Sequence, residues 1–441
     1  MTVRIMNLVA PLSHKDTDMH TADTAERCSG RSGAVSSPKA RPGDVESANE
    51  RRLSRTSTTA TRTTTTSLPS AESVPSADSS NYSFDLLLRA YLDCRKHKRN
   101  TGSALAFEQD LERNLWKLHH EILDGSYAPG RSICFVITRP KAREVWAAEF
   151  RDRIVHHLLH NYIAPRFYAR FIADSCACIP GRGTLYAAER LEAKVRSVTQ
   201  NWSQPAYYLK CDLANFFVAI DKRIVRDLLA RHISEPWWMA LAETILFHDP
   251  RQNFELPGAP ELLERVPAHK RLTSQPPHLG LPIGNLSSQF FANVYLDVLD
   301  QFVKHGLRCQ HYIRYVDDFV LLHKSPQWLN EAKAKIENLL FDQLHARLNP
   351  KKTILQPVDR GIDFAGQVIK PWCRTLRRRT FNEAISRVCN IPAADLFESA
   401  NSYFGLLRQA GRSHRDRARL ANALRQRGHS VKADLTKTYR A

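Results

Sequence analysis

From Tyr82 onward the apolar positions fall into a helical rhythm: Phe84, Leu87, Leu88, Tyr91 and Leu92 recur three and four residues apart. The same spacing predicts a second helix over roughly Ala104 to Leu123, ended by Gly125. Arg131 to Thr138 alternates like a strand. The basic run Arg139-Pro140-Lys141-Ala142-Arg143-Glu144 then reads as a strand-to-strand turn, and Phe150 to His160 opens another helix. Ala206 to Leu213 is a buried strand that runs into a carboxylate, Asp212, with Phe216 and Phe217 just beyond and a helix from about Lys222 to His232. After a Pro-rich loop, Phe291, Val294, Tyr295, Val298, Leu299, Phe302 and Val303 form the apolar face of a long amphipathic helix. Asn285 is its expected N-cap, and Gly284 permits close backbone approach. Trp328 to Leu344 repeats the helical pattern, Gly361 to Ile369 is strand-like, and Arg377 to Arg427 is helical and rich in arginine.

One stretch departs from these patterns. Tyr312-Ile313 and Phe319-Val320-Leu321-Leu322 read as two short buried strands joined by a tight turn, yet Asp317 and Asp318 sit at its tip. Adjacent carboxylates repel, and burying one unpaired costs several kcal/mol. A divalent cation removes both penalties; a solvated acidic turn avoids them by staying exposed. Asp212, at the end of a core strand, is the third candidate ligand, or else the cap of its own turn.

Charge and composition narrow the class. The chain is 441 residues long, enough for a sizeable core and more than one structural unit, and carries a formal net charge of +19. Residues 371–441 hold fifteen Lys/Arg against five Asp/Glu, so more than half of the excess lies there. Clustered basic charge is the footprint of a phosphate-backbone binder. Residues 1–80 are rich in Ser, Thr, Pro and Ala and too poor in aromatics to order themselves, and are expected to form a disordered tail. Nine cysteines without a C-x-x-C pair argue against a disulfide framework or a zinc ribbon. No apolar run reaches the ~20 residues of a membrane helix, and no signal peptide is evident, so no membrane partner and a cytoplasmic location are expected. His156 and His160 lie one turn apart but without an intervening glutamate, and read as helix-face histidines. Arg182, between Gly181 and Gly183, belongs to an ordinary turn or to a backbone cradle for a phosphate.

In order along the chain, the basic Pro-Lys-x-Arg turn, Asp-x4-Phe, Pro-x-Gly-x3-Ser, Tyr-x-Asp-Asp, a Lys-Thr strand and Asp-Phe-x-Gly resemble the motifs of a reverse transcriptase. The resemblance covers roughly residues 130–370 and is nearest to bacterial enzymes, in particular the diversity-generating retroelement and retron-like branch. It implies an α+β right-hand polymerase: a tail over 1–81, N-terminal helices and fingers over 82–205, a palm over 206–370 with a fingers insertion at about 222–285, and a basic helical thumb over 371–441. The palm would be a small antiparallel sheet backed by helices. Asp212, Asp317 and Asp318 are similar to the catalytic triad that holds two Mg²⁺ ions, with Leu213 among the metal ligands and Mn²⁺ a substitute; carboxylates suit these hard cations. Phe217 stands at the place of the steric gate against a ribose 2′-OH. Lys141 and Arg143 resemble the fingers residues on the incoming triphosphate, and Ile283, Gly284, Gln289 and Lys352 also fall among the dNTP-binding positions. Arg182, Tyr315, Gly366, Arg377, Arg378 and Arg379 resemble positions along the nucleic acid. Two positions depart from many reverse transcriptases. Ile283 replaces a glutamine and Gln289 a proline, a combination that resembles the diversity-generating branch and implies error-prone copying at template adenines. The implied partners are a template RNA, a DNA or RNA primer, dNTPs and a small basic accessory protein. No maturase, endonuclease or RNase H segment follows, so nicking and RNA removal are expected from other proteins. An antiphage-defence or retron-type enzyme and a non-catalytic RNA-binding scaffold are the competing readings.

Overall fold

The computed structural model describes residues 81–96, 101–138 and 141–439, so the expected tail over 1–80 lies outside the described residues. In chain order the elements begin with α1 (Phe84–Arg95), α2 (Gly102–Glu108) and α3 (Leu111–Leu123), followed by strands β1 (Ser132–Ile137) and β2 (Arg143–Ala148). Next come α4 (Phe150–Tyr168), α5 (Thr184–Val198), β3 (Tyr207–Asp212), α6 (Phe216–Ala219), α7 (Lys222–Ala230), α8 (Pro236–Phe247), β4 (Phe254–Glu255) and α9 (Glu261–Glu264). The second half holds α10 (Leu286–Gln301), β5 (His311–Tyr315), β6 (Asp318–His323), α11 (Pro326–Leu344) and β7 (Ile354–Pro357). It closes with β8 (Ile362–Phe364), β9 (Gln367–Lys370), β10 (Cys373–Leu376), α12 (Arg378–Asn390), α13 (Ala393–Arg408) and α14 (His414–Gln426).

The centre is a four-stranded antiparallel sheet in the order β5-β6-β3-β7. Its inner strands read as continuous apolar runs because both faces are covered. Leu209, Cys211, Tyr312, Phe319 and Leu321 point into the main core, which α4, α10 and α11 help to build. The alternate residues Tyr208, Ile313, Val320 and Leu322 join a second cluster with Leu191 and Val195 of α5 and with Ile362, Phe364 and Ile369 of the β8–β9 hairpin. Antiparallel β8, β9 and β10 make a small sheet of their own, and α12–α14 close around Phe381, Val388, Leu396, Phe404, Leu407, Leu420 and Leu424.

Several local expectations are revised. The single helix expected over Ala104–Leu123 is two, because Asp110 adopts a non-helical backbone and starts α3. Asn285 precedes α10 but does not cap it: its Oδ1 accepts a hydrogen bond from the Ala148 amide at 3.1 Å. Trp146 donates its amide to the carbonyl of Ile283 at 2.7 Å, so the Ile283–Asn285 segment is laced to β2. Gly284 is required there. Its φ is +134°, and a Cβ would stand 2.5 Å from the Trp146 carbonyl oxygen. The close approach inferred from the glycine is to the protein's own strand.

Candidate active site

Asp212 is the last residue of β3 and Asp318 the first of β6, and the strand register sets them directly opposite one another. Opposed side chains on paired strands have Cβ atoms only ~4.5–5.5 Å apart, where like charges destabilise the sheet. Asp317 occupies the turn between β5 and β6, and its carbonyl accepts a hydrogen bond from the Leu213 amide at 3.3 Å. Asp212 and the distant, adjacent pair Asp317 and Asp318 therefore meet at one end of the central sheet. Leu213 itself is buried, its backbone stitching the two acidic segments together. Burial and then the charge of Asp212 push the Asp317 carboxyl up to about 6. Burial also raises Asp318, against the pull of Lys210.

Two lysines moderate this crowding. Lys352 Nζ lies 2.6 Å from both oxygens of Asp212, and Lys210 Nζ lies 3.1 Å from Asp318 Oδ2 while also donating to the Asp363 carbonyl. Sequence comparison suggested Lys352 for the nucleotide; in the folded chain its ammonium is the counter-ion of Asp212. Among the described residues no group of three His, Cys, Asp or Glu side chains closes into a ready-made metal cage. The donor set nonetheless suits a hard divalent cation: it offers only carboxylate oxygens, and they share one field strongly enough to shift Asp317. Lys352 is half-exposed, so its counter-charge is replaceable.

The turn that carries Asp317 is held from behind. Val316 has φ +56°, a left-handed conformation that a β-branched residue adopts only under constraint. Arg314, 1% exposed, supplies that constraint. Its guanidinium pairs with the fully buried Asp300 through Nε–Oδ1 at 2.8 Å and Nη2–Oδ2 at 2.7 Å. It also donates to Asn293 Oδ1 at 3.1 Å, Ser175 Oγ at 2.9 Å and the Val316 carbonyl at 3.0 Å. Tyr312 adds a hydroxyl hydrogen bond to Asp300 Oδ1 at 2.7 Å. Burial works against the charge on Arg314, but Asp300 more than offsets it and the guanidinium stays protonated. Sequence reading missed this pair. The available signal was an arginine inside an otherwise apolar strand.

The other candidates divide cleanly. Phe217 lies in α6 just past Asp212, half-buried and edge-on to Phe216 at 5.2 Å. Lys141 and Arg143 are exposed at the β1–β2 connection with no carboxylate partner among the described residues. Ile283 belongs to the segment laced to β2 and Gln289 to the first turn of α10; each is half-buried. Tyr315 pairs with Asp318 across the hairpin. Gly366, at φ +88°, follows Ala365 at φ +45° in the two-residue turn between β8 and β9. Arg377 pairs with Asp363 beside that turn, and Arg378 and Arg379 are exposed at the start of α12. Arg182 donates from one nitrogen, Nη1, to the carbonyls of Ile172 at 2.7 Å and Ser175 at 2.8 Å, which anchors its guanidinium to the protein's own loop. His156 and His160 bond to Ser287 Oγ and Tyr168 Oη as ordinary core histidines, and no disulfide joins the cysteines among the described residues. No helix among the described residues is long and apolar enough to cross a membrane.

An acidic sheet end that offers only hard-oxygen donors thus sits in an α+β scaffold. The family model of the reverse transcriptase (RNA-dependent DNA polymerase) matches residues 139–369, just over half of the chain, and the chain belongs to that family. Among solved structures the chain is similar to apo telomerase from Candida tropicalis, with a TM-score of 0.43, 12% identity, and coverage of 67% of this chain and 56% of that one. It is also similar to the same telomerase truncated from its C-terminal domain, with a TM-score of 0.42, 12% identity, and coverage of 56% and 55%. The chain thus spans little more than half the length of these structures. No curated protein matches it.

The Arg314–Asp300 pair gives a stability prediction. Arg314→Met strands a buried carboxylate and is expected to cost about 3–5 kcal/mol in urea denaturation. The double variant Arg314→Met/Asp300→Leu is expected to recover much of that loss. A double variant no more stable than the single one contradicts the pairing as the source of the cost.

Proposed function

We propose that this chain is an RNA-directed DNA polymerase that copies an RNA template from a primer with dNTPs. The observation that carries the reading is the register that opposes Asp212 to Asp318, with Asp317 close enough to feel Asp212's charge. Membership in the reverse transcriptase family supports it. In this reading the central sheet and its helices are the palm, the β1–β2 hairpin and neighbouring helices the fingers, and α12–α14 the thumb.

Asp212, Asp317 and Asp318 would hold two Mg²⁺ ions, with the Leu213 backbone beside them. When bound, the ions supply activation of the primer 3′-hydroxyl and neutralisation of the departing pyrophosphate. The chain's own residues do the rest. Lys141 and Arg143, exposed and unneutralised, receive the triphosphate through charge-assisted hydrogen bonds. Lys352 keeps Asp212 charge-balanced in the free protein. The half-exposed ring of Phe217 crowds the sugar and rejects a 2′-hydroxyl. Gly366 and Arg377 to Arg379 lie along the primer–template path.

The finer assignment is a diversity-generating retroelement enzyme, error-prone at template adenines. Ile283 supports it, since a side chain without hydrogen-bonding groups relaxes base discrimination. The paired lysines favour one competing reading, a non-catalytic RNA-binding scaffold in which Lys352 and Lys210 neutralise Asp212 and Asp318 permanently.

Three substitutions separate these readings. Asp317→Asn is expected to lower Mg²⁺-dependent cDNA synthesis by roughly a thousandfold, the scale on which preorganised charge acts, with RNA affinity nearly unchanged; extension at the wild-type rate would refute the carboxylate site. Phe217→Ala is expected to raise ribonucleotide incorporation by about ten- to a hundredfold, measured as the ratio of kcat/KM for matched dNTP and rNTP. An unaltered ratio removes the gate. Ile283→Gln is expected to reduce misincorporation opposite template adenine in sequenced cDNA, and an unchanged error spectrum rejects the fidelity assignment.

A further inference from the structure

At the end of the central sheet away from the acids, two tryptophans meet. Trp372 forms the turn between β9 and β10 and is 71% exposed, the most exposed large apolar side chain among the described residues. Its ring centroid lies 6.1 Å from that of Trp202, with the planes at 45°. Trp202 is half-buried against the cluster beneath the sheet and belongs to the loop between α5 and β3. One ring is thus anchored to the core, and it backs the other, whose outer face is open to solvent.

The backbone beneath this pair is committed to holding it. Gln200, Asn201 and Trp202 have φ values of +48°, +55° and +71°, and Trp372 has +68°. Four non-glycine residues in the left-handed region at one place mark a conformation imposed by its surroundings. Hydrogen bonds fix it: the Asn201 amide donates to the Arg196 carbonyl at 2.8 Å, the Trp202 amide to Thr199 Oγ1 at 3.1 Å, and the Gln204 amide to the Thr199 carbonyl at 3.0 Å. The platform exists before any partner arrives.

The charge around it favours one partner. Lys324 is exposed just past β6 and bonds Gln204 Oε1 at 2.7 Å, beside the Trp202 loop. Lys370 is exposed two residues before Trp372. Neither ammonium has a carboxylate partner among the described residues. An open aromatic face with two unneutralised lysines in its neighbourhood, Lys324 bonded into the Trp202 loop and Lys370 with its stem across Gly361, matches single-stranded nucleic acid, whose bases stack while its phosphates meet cations. The rings are too close and too tilted to sandwich a base between them, so stacking uses the outer face of Trp372. The site lies outside the catalytic turn. Strand β3 runs six residues from Tyr207, at this end, to Asp212, a separation of about 17 Å at ~3.3 Å per residue.

We propose that Trp372, backed by Trp202 and with Lys324 and Lys370 in its neighbourhood, is a second RNA-binding site that stacks an unpaired base of single-stranded RNA apart from the primer–template duplex. The proposal rests on reading the chain as an RNA-copying enzyme, but its test is equilibrium binding, which reads apart from catalysis. A fluorescein-labelled single-stranded oligouridylate is titrated with the full chain, and again with the full chain carrying Asp317→Asn. Trp372→Ala is expected to weaken binding by about tenfold or more, Trp372→Phe to restore most of it, and Lys324→Gln/Lys370→Gln to flatten its salt dependence. Extension of a primer with a template overhang of only a few nucleotides is expected to be unchanged in Trp372→Ala. Trp372 is exposed, so its loss leaves the fold intact, and circular dichroism checks this. Equal affinity of wild type and Trp372→Ala overturns the proposal. So does equal competition by fully double-stranded RNA, or a change confined to self-association in sedimentation, which would assign the platform to a protein contact.

Discussion

A guanidinium sealed in the core is what allows three acids to share one sheet end. Arg314 and Asp300 are both essentially inaccessible to water, and the hydrogen bonds they exchange also reach Tyr312, Asn293, Ser175 and the Val316 carbonyl. A charge buried alone would cost several kcal/mol, and a charge buried in a matched, bidentate pair specifies one arrangement of its neighbours. Here the neighbours are the strand that enters the turn and the helix behind it. The left-handed Val316 and the position of Asp317 follow from that arrangement. Loss of the pair would leave the acids free to move apart, which is what their mutual repulsion favours.

The second constraint is the balance of charge at the site. Asp212, Asp317 and Asp318 are countered within hydrogen-bonding reach only by Lys352 and Lys210 among the described residues, so one negative charge is left over. That surplus is visible in the acidity of Asp317, which burial and Asp212 push up to about 6. A protein selected only for stability relieves such strain by replacing an acid with an amide. Retaining all three is consistent with a site whose charge is completed by a cation.

Much of this was legible in the amino-acid order. The acidic hairpin and the Asp212 strand stood out because apolar runs enclose charged residues there, and burial on both faces is what such runs mean. The glycine at 284 also carried its message, since only a residue without Cβ fits against Trp146. What escaped was the chemistry of distant partners. Asp300 reads as the polar face of α10, and Arg314 as a lone charge, until the fold brings them together. Asn285 has the right residue type for a cap, but the Ala148 amide competes for its oxygen and wins. Nor does the Gly181-Arg182-Gly183 spacing reveal that Nη1 of Arg182 is held by two carbonyls of the Ile172–Ser175 turn. Trp202 and Trp372 adopt backbones that tryptophan disfavours, so no local propensity could announce them.

The arginines at the start of α12 complete the electrostatic picture. Arg378 and Arg379 open the helix, Arg377 precedes it, and the first turn has no acid. The positive end of a helix dipole disfavours cations by about 0.3–1 kcal/mol each, so this placement works against the helix. Only Arg377 recovers part of the loss, by pairing with Asp363 next to the β8–β9 turn. Helix folding alone gives no reason for three arginines at this end. An anion arriving there gains from the same amides, dipole and guanidinium groups that are unfavourable in its absence. The turn at Gly366 and the side chain of Lys210, linked through Asp363, connect that basic helix end to Asp318. Positive and negative surfaces thus meet along one short path.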